Sequence, residues 1–266
     1  MSALDAEGIS FRYGERLILN EVSFSVAGGR VVSLLGPNGS GKTTLLKVLL
    51  GLLRPTKGRV RIDECPVNKL SARHRARKLA YVPQAHALSF PYRVLDIVLL
   101  GRLPYVSFFG SYSNHDRRAA HEALDRMGIV HLASRSYATV SGGERQLALI
   151  ARALAQGAEV LIMDEPVSGL DYGNQLRLLL EVQALAREGY TVVKSTHFPD
   201  HAFLSSDAVV LLHEGKILAQ GLPSDVITAT HLRQLYGVDV SIVSRGDGLL
   251  CCVPVGDLRR SRLPAC

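Results

Sequence analysis

The chain has no tryptophan, and aromatic residues make up only 6% of it. It also lacks any apolar run near the roughly 20 residues that a membrane helix needs. Runs such as Val94-Leu95-Asp96-Ile97-Val98-Leu99-Leu100 and Val209-Val210-Leu211-Leu212 stop well short of that length. Helical crossing of a bilayer is thereby excluded for these segments. The opening residues, Met1 to Glu7, carry neither a basic nor an apolar export segment, so a cytosolic location is expected. Cysteine is scarce, and Cys65, Cys251, Cys252 and Cys266 have no CxxC spacing or nearby histidine ladder for zinc. In a reducing compartment they are expected as thiols. Acidic residues are outnumbered, 24 against 31 Lys and Arg, for a net charge of +7. This excess suits contact with phosphates, anionic lipid or nucleic acid, and equally suits a basic solvated surface.

What is present is an alternation of β-rich and helical segments, which predicts an α/β core with a mostly parallel sheet. Ile9–Tyr13 and Val22–Val26 alternate apolar and polar side chains around Gly14 and Gly28-Gly29, as antiparallel strands do. Val31–Leu35 is a continuously apolar run leading into a glycine-rich turn and then the helical stretch Thr44–Leu50. Between about 88 and 140 the pattern turns helical, as in Asp116–Met127, and predicts an inserted all-helical subdomain. Strands resume at Val160–Met163 and Thr191–Ser195 around a helix at about 173–188. A hairpin is expected at 208–219 through Glu214-Gly215, and two short helices at 224–236. The end reads as a small strand pair with a basic tail, Arg259-Arg260-Ser261-Arg262.

The turn Gly36-Pro37-Asn38-Gly39-Ser40-Gly41-Lys42-Thr43 fits GxxxxGK(S/T), a loop whose backbone amides and following helix start bind phosphate oxygens. Glycines let the backbone approach the anion unobstructed. Lys42 is expected to reach the β and γ phosphates, and the Thr43 hydroxyl to ligate Mg²⁺. Leu161-Ile162-Met163-Asp164-Glu165 sets two carboxylates at a strand end, where open α/β sheets hold ligands. Asp164 suits Mg²⁺ binding, directly or through water, and Glu165 suits a general base toward water. Without the loop, the pair would read as a surface strand terminus.

With these residues in place, the chain resembles the ATP-binding cassette subunits of ABC transporters over about residues 8 to 237. The resemblance implies a P-loop NTPase core with an antiparallel β subdomain and the helical insertion, leaving 238–266 as a small extension. Val140-Ser141-Gly142-Gly143-Glu144-Arg145-Gln146 is similar to the family signature, with Val for the commoner Leu and Glu for the commoner Gln. Under the resemblance, Ser141, Gly142, Gly143 and Glu144 bind the γ-phosphate of ATP held by a second copy. ATP then sits between two chains of a homodimer. Ser168-Gly169-Leu170-Asp171 fits the D-loop of that interface, His197 the switch histidine, and Gln84 the Q-loop residue that touches Mg²⁺. Thr44 joins the phosphate contacts. Tyr13 fits either an adenine-stacking ring or a strand aromatic of the core; Arg16 is a possible phosphate or ribose neighbour.

The insertion stretch Val94–Arg102, together with Lys194–Ala202 and His213–Ile217, is similar to importers of metal chelates: ferric siderophores, haem and cobalamin, with a related branch for molybdate or tungstate. This implies polytopic permease partners, an indirect substrate-binding protein, and a peripheral place on the cytoplasmic membrane face. Tyr105, Phe108, Phe109 and Tyr112 fit either a patch for the permease or the insertion's own core. A soluble cassette ATPase acting on nucleic acid or ribosomes is the other class weighed. The second cassette or long coiled coil typical of such relatives is absent from these 266 residues, and no nucleic-acid partner is expected.

Overall fold

Two long strands open the chain, β1 (Ser2–Tyr13) and β2 (Arg16–Ala27). They pair antiparallel with Ile9 opposite Val22, and β2 buries alternate side chains, as a sheet with one wet face must. Next come β3 (Val31–Leu35), α1 (Lys42–Leu49), β4 (Lys57–Ile62), β5 (Cys65–Pro66), α2 (Ala72–Lys78) and β6 (Leu79–Val82). The chain then passes through α3 (Val94–Leu99), α4 (Asn114–Arg126) and α5 (Gly142–Gln156) to β7 (Val160–Met163) and α6 (Tyr172–Arg187). Finally come β8 (Thr191–Thr196), α7 (Pro199–Ser205), β9 (Ala208–His213), β10 (Lys216–Gly221), α8 (Pro223–Val226), α9 (Ala229–Tyr236), β11 (Val240–Ser244) and β12 (Leu250–Pro254). This computed structural model describes residues 2–84, 92–107, 110–244, 246 and 248–255. Phe90, Pro91, Phe108, Phe109, the Arg259–Arg262 run and Cys266 lie outside the described residues.

The main sheet has the order β10-β9-β3-β8-β7-β6, parallel from β9 to β6, with β10 as the antiparallel edge. Strands β3, β7 and β8 are buried along their whole length, which explains the unbroken apolar run of β7, while β3 buries Ser33 and β8 buries Lys194 and Ser195 among their apolar residues. The second sheet, β2-β1-β4-β5, is antiparallel. Its buried side packs with Leu45, Leu46 and Leu49 of α1 and with Leu34 and Val193 of the main sheet. The opposite face of the main sheet packs on α5 and α6, in a core continuous with the insertion's Val98, Leu124 and Leu132. The α/β class, the antiparallel subdomain and the helical insertion are therefore as expected.

The insertion is fastened by a buried ion pair in which Arg102 Nε donates to Asp116 Oδ1 at 2.9 Å, while Arg102 Nη1 donates to Ala155 O at 2.8 Å. The Ser113 hydroxyl and then the Arg102 guanidinium pull the Asp116 carboxyl down to about 2. Of the tyrosines left open by sequence, Tyr112 packs on the insertion core, and the Tyr105 ring lies under the Arg102 and Arg77 guanidinia.

The C-terminal strand pair is less peripheral than its sequence suggests. Tyr236, Val240, Ile242 and Cys252 pack with Leu35, Ala202, Leu232 and Leu235 in a third core beneath α7. One polar group in the interior stands out: Lys194 on β8 is 1% exposed, and its Nζ has no hydrogen-bond partner among the described residues.

Candidate active site at the strand ends

Strand β3 delivers the chain into the phosphate loop, and two glycines there answer to geometry. A Cβ on Gly36 would sit 2.2 Å from Leu212 O, so only glycine lets the loop pass β9. Gly41, the residue before α1, has φ 105°, in the left-handed region that side chains resist. No side chain caps α1, so its first amides keep their donors for an outside acceptor. The β9–β10 turn supports the loop from behind, with Gly215 N–H donating to Ser40 O at 3.1 Å.

Lys42 is buried and its ammonium donates to Gly36 O at 2.7 Å and Pro37 O at 3.0 Å. Burial lowers its pKa, while Glu165 and Asp164 pull the other way. The cleft in front of the loop encloses about 490 Å³ and brings together Asn38, Gly39, Gly41, Lys42, Thr43, Thr44, Gln84, Asp164 and Glu165. Arg16 and Ile18 of β2 close its other side.

At the end of β7, one hydroxyl organises both acids. Ser195 Oγ donates to Asp164 Oδ1 at 2.7 Å and accepts from Glu165 N–H at 2.8 Å. Glu165 takes φ 45°, a conformation of the kind that clusters at functional sites. Its Oε1 lies 3.1 Å from His197 Nδ1; since a carboxylate only accepts, Nδ1 carries the proton. Nε2 is left for another partner.

Of the remaining candidates Gln84 lines the cleft and the others lie apart from its walls. Gln84 Nε2 donates to Ser168 Oγ at 3.1 Å, tying the end of β6 to the loop after β7. Asp171 caps α6, accepting from Asn174 N–H at 2.8 Å and from its side-chain amide at 2.7 Å. Ser141 and Glu144 form a reciprocal capping box on α5: Glu144 N–H donates to Ser141 Oγ at 3.2 Å and Ser141 N–H to Glu144 Oε2 at 2.7 Å. The Ser141 backbone amide, and then the Ser141 hydroxyl, hold the Glu144 carboxyl below its usual range. None of Ser141, Gly142, Gly143 or Glu144 lines the cleft. Tyr13 is 51% exposed and packs edge-on against Phe11 at 4.8 Å, so its ring has a core neighbour and an open face.

The ABC transporter family profile matches residues 19–168. The chain belongs to the ABC transporter family. As an ATP-binding subunit of that family it is an ATPase. It is 34% identical to the iron(3+)-hydroxamate import ATP-binding protein of Bacillus subtilis, over 92% of this chain and 91% of that one. It is 38% identical to the hemin import ATP-binding protein of Bordetella pertussis, over 91% and 94%. Among solved structures, a metal-chelate type ABC transporter in an inward-facing conformation superposes with a TM-score of 0.84 at 32% identity, covering 96% of this chain and 98% of that chain.

In this ABC ATPase the donor set suits Mg²⁺. Mg²⁺ keeps waters and substrate phosphates and takes few protein oxygens, and the cleft offers the Thr43 hydroxyl, the Gln84 amide and the Asp164 carboxylate. Ser40 Oγ is buried without a partner among the described residues, as a hydroxyl awaiting an acceptor would be. Ser195 and Ile18 are the site residues that sequence reading missed. Ser195 sits at a strand end beside the histidine, and only the parallel pairing of β7 with β8 reveals that its hydroxyl meets both acids.

Proposed function

We propose that the chain binds MgATP on the phosphate loop, with its amides and Lys42 holding the phosphates. Thr43, Asp164 and Gln84 supply oxygens to Mg²⁺, which neutralises phosphate charge when bound. Glu165 takes the proton of the attacking water, and His197, whose ring lies against Glu165, contacts the γ-phosphate. One observation carries this reading: Lys42, Thr43, Asp164 and Glu165 converge on one cleft at the ends of parallel strands. Glu165→Gln should lower steady-state ATP hydrolysis by about 100-fold or more; a wild-type rate would remove the general-base role.

The signature residues lie outside that cleft, which supports a two-copy assembly in which Ser141–Glu144 of each copy complete the other's site. Tyr13, half exposed at the tip of β1, presents a face for adenine, and Asp171 lies at the same copy–copy interface. In this reading the boundary at 237 separates the ATPase domain from the C-terminal segment. Closure on ATP moves paired permease subunits at the cytoplasmic membrane face, and a substrate-binding protein delivers the cargo. We assign the cargo to the metal chelates, in keeping with the iron-hydroxamate and hemin relatives. Uptake by vesicles carrying this chain with its permease should follow a ferric hydroxamate, haem or cobalamin. Uptake of molybdate alone would overturn that assignment.

A further inference from the structure

The histidine beside Glu165 is only as well placed as the backbone that carries it. His197 follows β8 directly, with its side chain 37% exposed and its ring bonded at 3.1 Å to Glu165. The neighbouring Phe198 ring, at 4.1 Å, is itself 46% exposed and offers little confinement. The segment from 196 to 200 leaves the sheet for a short helix, and Phe198 N–H donates to Thr196 Oγ1 at 3.1 Å.

Two further bonds on this segment come from far along the chain. The Tyr236 hydroxyl, at the end of α9, donates to the carbonyl oxygen of His197 at 3.1 Å. Cys252 N–H, on β12, donates to Asp200 Oδ1 at 2.8 Å. Tyr236 and Cys252 also share the third core, packed with Ala202 of α7. The segment bearing His197 is thus gripped at both ends by residues 236–252. Burial, then the nearby Cys252 and Glu165, push the Tyr236 phenol upward, so it remains a donor throughout the working range of the enzyme. Cys252, pushed up to about 12 by burial and then by Asp200, stays a thiol.

We propose that Tyr236 is a positioning residue for ATP hydrolysis: its hydroxyl fixes the His197 backbone, and the β11–β12 hairpin braces the same segment through Asp200. The proposal rests on the assignment of His197 to the hydrolytic site. Tyr236 touches no nucleotide in this scheme; it acts by limiting where the His197 ring can go. Small displacements of a reacting group are costly to rate while leaving substrate affinity in place.

The test uses the full chain and steady-state ATP hydrolysis. Tyr236→Phe keeps the ring and removes the hydroxyl. We expect kcat to fall about fivefold, as for loss of one hydrogen bond, with KM for ATP unchanged. Asp200→Ala should act in the same direction, and Asp200→Asn, which keeps an acceptor oxygen, should recover most of the rate. In a His197→Ala background, Tyr236→Phe should have no further effect, because the two act through one group. Wild-type kcat in Tyr236→Phe, a change confined to KM, or an equal loss with and without His197 would each overturn the proposal. If His197→Ala leaves no measurable rate, the Tyr236→Phe kcat and the Asp200 pair decide. If His197→Ala alone hydrolyses ATP at the wild-type rate, the assignment of His197 has failed, and the positioning role falls with it.

Discussion

Helices α1 and α5 both begin at glycine-rich turns containing serine, yet only α5 caps itself. At α1 the preceding residue is a left-handed glycine, no side chain accepts from the first amides, and a buried lysine lies alongside. At α5 Ser141 and Glu144 already occupy each other's amides, and Glu144 sets a carboxylate where a phosphate would come. A phosphate meets unoccupied donors at the first helix and has to share or displace an internal anion at the second. On the proposed two-copy reading, these similar-looking motifs differ in order of use: the phosphate loop can seat ATP in a single chain, whereas the signature engages only when a second copy brings a nucleotide to it.

The most demanding test of this difference is Ser141→Arg. Hydrolysis should fall by about 100-fold or more, as when a transition-state donor is lost, while calorimetric ATP affinity of the single chain stays at the wild-type value. Loss of that affinity would break the distinction. Lys42→Ala should do the reverse and weaken ATP binding by about 10- to 150-fold, the range for a charge-assisted contact; unchanged affinity in the same titration would count against it. Gly41→Ala forces a side chain into φ 105° with a Cβ 3.0 Å from Leu19. It should cost about 1–3 kcal/mol in denaturant unfolding.

The smallest effect is expected from Glu144→Gln, which keeps an acceptor for Ser141 N–H but removes the charge. Because the folded carboxyl sits below its ordinary value of 4.5, its stabilising contribution is present above that pH and lost as pH falls through the folded value. The variant should be less stable by about 0.5 kcal/mol at neutral pH and indistinguishable from wild type in strong acid. A gap that persists in acid would mean the cap depends on shape alone.

The sequence made the phosphate loop and the buried strands plain, because a GxxxxGK(S/T) turn after an unbroken apolar run has few other uses. It was poorer at β4 and β6. Lys57–Ile62 is interrupted by Gly58 and two arginines, and Leu79–Val82 is a short strand that directly follows the basic α2. Both owe their strand state to neighbours, β1 and β7, rather than to their own pattern. Tyr236 gave no signal at all. Its partner is a backbone carbonyl 39 residues away, and a carbonyl leaves no mark in sequence.

Lys194 ties the stability of this fold to pH. Burial lowers the ammonium's pKa from 10.5 to about 7, so between those values the unfolded chain holds a proton that the folded chain has released. Conformational stability should therefore climb as pH rises through that window, and below about 7 the full cost of an unpaired buried charge is carried. That charge would stand on β8, two residues before the segment from 196 to 200, near His201, whose own pKa burial and then Lys194 lower to about 4. The strand that leads into His197 thus contributes most to the fold above 10.5 and has lost that contribution once the pH has fallen to about 7.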